Sequence, residues 1–105
     1  MKQQQHGDVL LQQIAHIPSH VLPQKPKGNR WILAEGEVTG HAHAIEQIDN
    51  CCLYEKDGTL YLTVERDVVL RHEEHHAQTI TPGNYQIGIV REYDYLREME
   101  RSVVD

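Results

Sequence analysis

Short runs of alternating apolar and polar residues, separated by glycine and proline, follow one another from Gly7 onwards. The first six residues, MKQQQH, show no such pattern and are predicted to form a polar tail. The region from 18 to 29 holds three prolines and a glycine, which predict a long loop. The apolar runs predict strands at 7–17, 31–35, 37–46, 67–70 and 85–93.

The clearest local signal is the segment CCLYEKDGTLYLTVE, from Cys51 to Glu65. Its central Asp57-Gly58 lies between two alternating runs and predicts a two-residue type I′ hairpin turn. Such a turn fixes the register, so that Lys56 faces Thr59. The same register places four apolar residues on the face that meets the core: Leu53, Leu60, Leu62 and Val64.

The spacing of these strands predicts a mainly β protein, a small single-domain β-barrel or sandwich of about six to eight short strands. The domain is expected to span 7–105, after a polar tail at 1–6. At its end the segment DYLREMERSVV predicts one short amphipathic helix, with Leu96, Met99 and Val103 on one side. Exposed strand edges in so small a sheet also favour a homo-oligomer.

Composition narrows the class of protein. The chain has 105 residues and a net charge of −6, which indicates one domain and counts against a broad phosphate-binding surface. No apolar run approaches the roughly 20 residues of a membrane span, and the first residues do not resemble a signal peptide, so we expect a cytoplasmic protein. The only cysteines, Cys51 and Cys52, are adjacent and are predicted to be strand residues, one of them facing the core.

The chain carries eight histidines, and two of them form the run His41-Ala42-His43. In a strand both imidazoles project from one face, about 6–7 Å apart, where they can bind the same ion. Glu46 lies three residues beyond His43 and joins that face only if the strand bulges or ends there. Three other histidines are scattered and expected to be exposed polar residues: His6, His16 and His20.

A second histidine cluster is the run Arg71-His72-Glu73-Glu74-His75-His76. It lacks the glycine, serine and asparagine typical of turns, which counts against a plain solvent-exposed loop. The run also matches the HExxH pattern, with His72 and His76 as zinc ligands and Glu73 as the base. That pattern requires a helix, whereas the flanking residues DVVL and QTITPG are typical of strands and turns, so we do not expect a zinc protease.

Our leading hypothesis is that both clusters form one site for a divalent transition-metal ion. His41 and His43 then act with one or two of the later histidines, and Glu46 or Glu73 is a further ligand or the base. The ion is Zn, Mn, Fe or Ni, since imidazole suits several of them. An open coordination position would activate water and make the protein a hydrolase acting on a small molecule. The later histidines meant here are His72, His75 and His76.

A second hypothesis requires no metal. One imidazole of each cluster, with His75 as the later partner, acts as an acid–base pair, while Arg71 or Arg91 stabilises an anionic transition state. This chemistry suits cleavage of RNA, with Tyr93 or Tyr95 stacking on a base. A third hypothesis is a binding module without catalysis, whose histidines sense pH or contact a partner.

Part of the chain resembles the cupins, small β-barrels that hold a metal with an HxH…E strand and a later histidine. His41, His43 and Glu46 are similar to the first cupin motif, and one histidine of the second cluster stands for the later ligand. The segment TITPGNY, 79–85, resembles the Pro-Gly turn of that fold. Glu46 is one or two residues closer to the HxH than in cupins, and the Pro-Gly turn follows the late histidines instead of preceding them.

A second resemblance covers nearly the whole chain. The series GDVLL, AEGEVTGHAH, HEEH, PGNY and REYD resembles a family of short, uncharacterised bacterial and phage proteins. The resemblance implies no activity. It does imply that five residues act as a unit: His41, His43, His72, Glu73 and His75.

Overall fold

The computed structural model describes residues 2–35 and 41–90. The predicted C-terminal helix lies outside the described residues, as do Arg91, Tyr93 and Tyr95. A short 3-10 helix spans Ile48–Asn50. The strands are β1 (Gln3–His6), β2 (Val9–Ile14), β3 (Leu22–Pro23), β4 (Trp31–Glu35), β5 (Ala42–Ile45), β6 (Cys51–Lys56), β7 (Thr59–Val64), β8 (Val68–His72), β9 (His75–Ile80) and β10 (Gly83–Ile89).

The ten strands of the described residues form two antiparallel sheets and not a closed barrel, which confirms only the mainly β part of the prediction. One sheet has the order β1-β2-β10-β7-β6-β3 and the other the order β4-β5-β8-β9. Both sheets contribute buried apolar side chains to one core, for example Leu11 and Leu62 from the first and Ile45 and Leu70 from the second. None of the helices in the described ranges is long and apolar enough to cross a membrane.

The predicted hairpin at Asp57-Gly58 is confirmed in turn and register. Asp57 and Gly58 have φ values of 51° and 82°, as a type I′ turn requires. Lys56 pairs with Thr59, at the position expected for a two-residue turn. On the inner face Leu53, Leu62 and Val64 are buried and Leu60 packs against the core.

The first residues form a strand, and the predicted polar tail at 1–6 is wrong. Gly7, with φ at 61°, and Asp8 make a two-residue turn that folds β1 back along β2, so that His6 pairs with Val9. A positive φ at the first turn residue is typical of a type II′ hairpin. His6, expected to be exposed, is fully buried.

Side chains join β1 to β9, the neighbouring edge strands of the two sheets. Gln4 Nε2 donates to Gln78 Oε1 and to the Thr79 carbonyl, both at 3.0 Å. Gln78 Nε2 donates in return to the Gln5 carbonyl at 2.8 Å. We call this contact the β1–β9 seam. Polar side chains form this seam, so the segment QQQ forms a strand without alternating apolar residues.

The two cysteines are free and lie on opposite faces of β6. Cys51 is buried and Cys52 is exposed, which confirms the expectation that one of the pair faces the core. Other boundaries differ from the prediction: the strand expected at 7–17 ends at Ile14, and within 37–46 the described strand is Ala42–Ile45.

Candidate metal centre

The second histidine cluster is a β-hairpin. Glu73 and Glu74 form the turn between β8 and β9, and His72 pairs directly with His75 across it. Paired residues project from the same face of a sheet, and the two ring centroids are 4.7 Å apart. Since the run is a hairpin, the helical HExxH arrangement of a zinc protease is absent, as expected.

The first histidine cluster meets the second because β5 is paired with β8. His43 on β5 lies with its ring centroid 4.4 Å from that of His72. His41, just before β5, approaches the same ring from farther away, at 5.6 Å. His72 therefore contacts both His41 and His43, and the structure brings the two predicted clusters into one group.

Three of these histidines lie close enough together to share one metal ion. His43, His72 and His75 each offer a ring nitrogen, and the three nitrogens lie within 4.8 Å of one another. Ligand nitrogens of a tetrahedral zinc ion are about 3.3 Å apart, so small side-chain rotations would complete such a site. His41, His72 and Glu73 form a second, overlapping set of potential ligands that shares His72.

The group opens to solvent on one side. His43 is buried, His72 is half-buried and His75 is exposed. Solvent therefore reaches the group from the side of His75. An ion bound there would keep a position for water, which is the feature that distinguishes a catalytic zinc site from a closed structural one.

Sequence reasoning missed two residues that extend the group, His6 and Asp8. His6 Nδ1 lies 2.9 Å from His43 Nδ1, and His6 Nε2 lies 2.8 Å from the His76 carbonyl oxygen. On the other side of the ring, His43 Nε2 lies 2.9 Å from Asp8 Oδ1. His6 ends β1 and Asp8 is the second residue of the Gly-Asp turn that follows, so the first hairpin supplies both contacts to His43.

The protons in this chain of contacts can be counted. Three contacts run from the His76 carbonyl through His6 and His43 to Asp8, and each needs one proton to be a hydrogen bond. The end groups are a carbonyl and a carboxylate, which only accept, while two neutral imidazoles supply one proton each. With both rings neutral, one contact lacks its proton.

The three contacts differ in how far solvent reaches them. The carbonyl contact and the contact between the two rings involve His6 and His43, which are 0% and 2% exposed. A buried polar group without a hydrogen bond is costly, whereas the side chain of Asp8 is 54% exposed and remains hydrated. Of the three contacts, the one between His43 Nε2 and Asp8 is therefore the one whose acceptor is also reached by water.

The pKa values agree with neutral rings. Burial lowers the pKa of His6, the hydrogen bond to the His76 carbonyl opposes this, and the nearby imidazoles of His75 and His72 lower the pKa further. Burial likewise lowers the pKa of His43, and His72 adds to the effect, while Asp8 opposes it. A cation bound at His43 Nε2, beside the Asp8 carboxylate, would take the place of a proton in that contact.

Gly7 allows the first hairpin to approach the imidazoles. A Cβ at this position would lie 2.5 Å from His75 Nε2 and 3.0 Å from His43 Cε1. Any larger residue would displace these rings. The glycine is therefore required both by its φ of 61° and by the space it leaves for the histidines.

Two contacts orient the β8–β9 turn. His72 Nδ1 accepts the Glu74 backbone N–H at 3.0 Å, so this ring nitrogen carries a lone pair that a metal could take in place of the amide. Glu73 Oε2 accepts the Ala42 backbone N–H at 3.1 Å. Its own backbone amide and that of Ala42 lower the pKa of the exposed Glu73 carboxyl. A lowered pKa makes Glu73 a poorer general base than predicted.

Three predicted site residues do not join the group. Arg71 is exposed and, by strand alternation, lies on the face of β8 opposite to His72. His76 is adjacent to His75 in β9, is exposed, and reaches the group only through its carbonyl oxygen. Glu46 is exposed just beyond the end of β5, and none of its hydrogen bonds within the described residues leads to the histidines.

The signal for the missed residues is the tripeptide His6-Gly7-Asp8. A glycine followed by one polar residue is a pattern for a type II′ turn, and it precedes the apolar run of β2. That turn predicts a strand before Gly7, with His6 facing Val9. Nothing in the sequence indicates that His6 contacts His43, which is 37 residues away.

A family model described as "Domain of unknown function (DUF8820)" matches residues 5–90. The match includes every residue of the group, from His6 to His76. No curated protein and no solved structure matches the chain. The expectation of an uncharacterised family is thus confirmed, whereas the motif series behind it and the resemblance to cupins are not.

Proposed function

The chain belongs to the family of domains of unknown function DUF8820, and since this description names no activity, we propose its function from the histidine group: binding of one divalent transition-metal ion. The proposed ligands are His43, His72 and His75. The observation that carries the proposal is the closeness of their three ring nitrogens, all within 4.8 Å of one another.

The surroundings of the ligands support this proposal. Neutral imidazoles are good ligands of zinc, iron and nickel, and the pKa of His43 is lowered by burial. His43 Nε2 faces the Asp8 carboxylate, whose charge a cation bound there would neutralise. The apolar core cluster contains none of the five imidazoles, so hydrophobic packing does not explain why they lie together.

The proposed chemistry is activation of water for hydrolysis of a small molecule. Three protein ligands leave a fourth position to water, and a zinc ion lowers the pKa of bound water to about 7. His75 is exposed, so a substrate has access from that side. Asp8, with its exposed carboxylate close to His43, is the group best placed to accept a proton from such a water.

The first experiment measures metal content and metal binding together. Untagged protein, purified without chelators, is analysed by elemental mass spectrometry and then titrated with Zn²⁺ by calorimetry after removal of bound metal. The test variant is His72→Ala/His75→Ala. The matched control is His16→Ala/His20→Ala, which removes two exposed imidazoles outside the group. We expect about one ion per chain, lost in the test variant and retained in the control.

Either of two results would overturn the proposal. The wild-type protein could bind neither Zn²⁺ nor Mn²⁺, Fe²⁺ or Ni²⁺, or the test variant could bind as tightly as the control. Hydrolysis is tested separately with chromogenic esters and phosphodiesters. Activity that a chelator removes and the same ion restores is the expected result.

RNA cleavage without a metal is a second candidate, favoured by the contact between Asp8 and His43. Asp8 Oδ1 lies 2.9 Å from His43 Nε2, and the ring centroids of His43 and His72 are 4.4 Å apart. A carboxylate next to one imidazole, with a second imidazole nearby, resembles an oriented acid–base pair. The assay uses a mixed RNA substrate with excess chelator. Cleavage that survives the chelator and is lost in Asp8→Asn would favour this candidate over the metal centre.

A further inference from the structure

His6 is a buried histidine whose two ring nitrogens are both engaged, yet the proposed metal centre gives it no ligand role. We propose that His6 is a positioning residue: it fixes the tautomer and orientation of His43, so that His43 offers Nε2 to the metal. This inference rests on the proposed function. It assigns a role to a residue of β1, which belongs to the other sheet.

The orientation of His6 is fixed from β9. Its Nε2–H donates to the His76 carbonyl at 2.8 Å, since a carbonyl oxygen accepts only. A neutral ring with its proton on Nε2 carries a lone pair on Nδ1. This lone pair points at His43 Nδ1, 2.9 Å away, and the two rings cross at 80°.

The tautomer of His43 follows from that lone pair. Two unprotonated nitrogens at 2.9 Å would repel each other in a buried site, so His43 carries its proton on Nδ1 and donates it to His6. Its Nε2, 2.9 Å from Asp8 Oδ1, is then the nitrogen left for a cation beside that carboxylate. The Nδ1 atom is closed to a metal because His6 occupies its approach.

This arrangement has the form of the outer contacts around metal-bound histidines. Such a ligand donates its second ring N–H to an acceptor, which fixes the tautomer and raises the basicity of the ligating nitrogen. Here the acceptor is another imidazole, itself held by a backbone carbonyl. Losing an outer contact of this kind typically lowers metal affinity by about 10–100-fold.

The test compares three single variants with the wild-type protein in Zn²⁺ titrations. His6→Leu removes the acceptor. His6→Asn is the conservative variant, because its amide oxygen can accept the proton of His43 Nδ1. Gln4→Leu is the matched control, since it removes the two hydrogen bonds of Gln4 in the same β1–β9 seam and leaves His43 untouched.

We expect Zn²⁺ affinity to fall about 10–100-fold in His6→Leu. His6→Asn should recover part of the loss, and Gln4→Leu should bind like the wild type. Equal weakening in His6→Leu and Gln4→Leu would show that only the integrity of the seam matters, and unchanged affinity in His6→Leu would show no role at all. Either result overturns the inference and leaves the proposed function in place.

A second readout concerns the metal-free protein, so it remains available if His6→Leu does not fold. The imidazole ¹⁵N chemical shifts of the wild-type protein report which nitrogen of each histidine is protonated. We expect protonated Nδ1 and unprotonated Nε2 for His43, a tautomer that His6→Asn should retain because its amide oxygen accepts the same proton, and that His6→Leu should partly lose. A wild-type His43 protonated on Nε2 alone overturns the inference. Absence of metal binding by the wild type, in contrast, overturns the proposed function itself.

Discussion

His6 and His43 face each other through their Nδ1 atoms, 2.9 Å apart, although they belong to different sheets. Both rings are buried, and each has a hydrogen-bonding partner on its other nitrogen, the His76 carbonyl for His6 and Asp8 for His43. The two sheets therefore share a polar contact at the end of an otherwise apolar interior. This contact links the stability of the fold to the protonation of the histidine group.

We expect the metal-free protein to lose stability as the pH falls below about 6.5. Burial and neighbouring imidazoles lower the pKa values of His6 and His43 in the fold, so below the ordinary value the unfolded chain binds more protons. The contribution of the two neutral rings to the free energy of unfolding is fully present above about pH 6.5. It is lost as the pH falls towards the pKa values of the two histidines in the folded protein. Each proton adds a slope of at most about 1.4 kcal/mol per pH unit.

Urea unfolding with a chelator, from about pH 8 to about pH 5, measures this slope. The variant His6→Asn removes one of the two groups and should reduce the slope. His16→Ala/His20→Ala removes two exposed imidazoles and should leave the slope close to that of the wild type. A slope that is unaffected in His6→Asn would contradict the expected role of the buried pair.

The elements that the sequence predicts well are those whose signal is local. The Asp57-Gly58 turn fixes the register of β6 and β7 because a two-residue turn leaves one pairing. The sequence also predicts that His43 and His72 come together, since two dense histidine clusters in one small domain favour a shared site. Pairing of β5 with β8 supplies the contact.

The missed features depend on contacts between distant segments. Gln4 and Gln5 carry no apolar alternation, and they form a strand because side chains of β9 bond to them across the seam. His6 is buried only because the opposite sheet covers it. His76 meets the group through its backbone carbonyl, at a point where the pairing of β8 and β9 shifts register, and the run itself predicts neither feature.

Gly7→Ala should disturb the histidine group as well as the turn. Both Gly7 and Gly28 have a positive φ, at 61° and 58°, so a Cβ costs about 1–2 kcal/mol of backbone strain at either position. At Gly28 nothing lies within 4 Å of the added Cβ, whereas at Gly7 it meets His75 Nε2 at 2.5 Å. Gly28→Ala is therefore the matched control.

Thermal unfolding and Zn²⁺ titration of the two variants distinguish backbone strain from displacement of the histidine rings. Both variants should unfold at lower temperature, and only Gly7→Ala should also bind Zn²⁺ more weakly or show shifted imidazole resonances. If Gly28→Ala weakens Zn²⁺ binding to the same extent, the effect is one of general stability and the close approach of Gly7 is without consequence for the site.

The two thiols should differ sharply in reactivity. Burial, reinforced by neighbouring Cys52, raises the pKa of the Cys51 thiol to about 12, and the thiolate is the reactive species. Cys52 is exposed on the other face of β6. With Ellman's reagent we expect one thiol per folded chain and two after denaturation. Cys52→Ser should leave no reactive thiol in the folded protein, and rapid labelling of that variant would show that Cys51 is accessible.

The two overlapping ligand sets make opposite predictions for single substitutions. His43, His72 and His75 form one set, and His41, His72 and Glu73 form the other, so His72 cannot distinguish them. His75 and Glu73 are exposed, and their substitution should cost little stability. If the ion lies in the first set, His75→Ala should lower Zn²⁺ affinity by more than the roughly 10–100-fold typical of an outer contact.

His41→Ala and Glu73→Gln should then retain one ion per chain, with affinity within a few-fold of the wild type. Glu73→Gln is the sharper of these, because the glutamine oxygen can still accept the Ala42 N–H while the charge is gone. Calorimetric titration of the three variants decides between the sets. Loss of binding in His41→Ala and Glu73→Gln, with retention in His75→Ala, would place the ion in the second set, beside the exposed turn. In that case His6 would have no ligand to position.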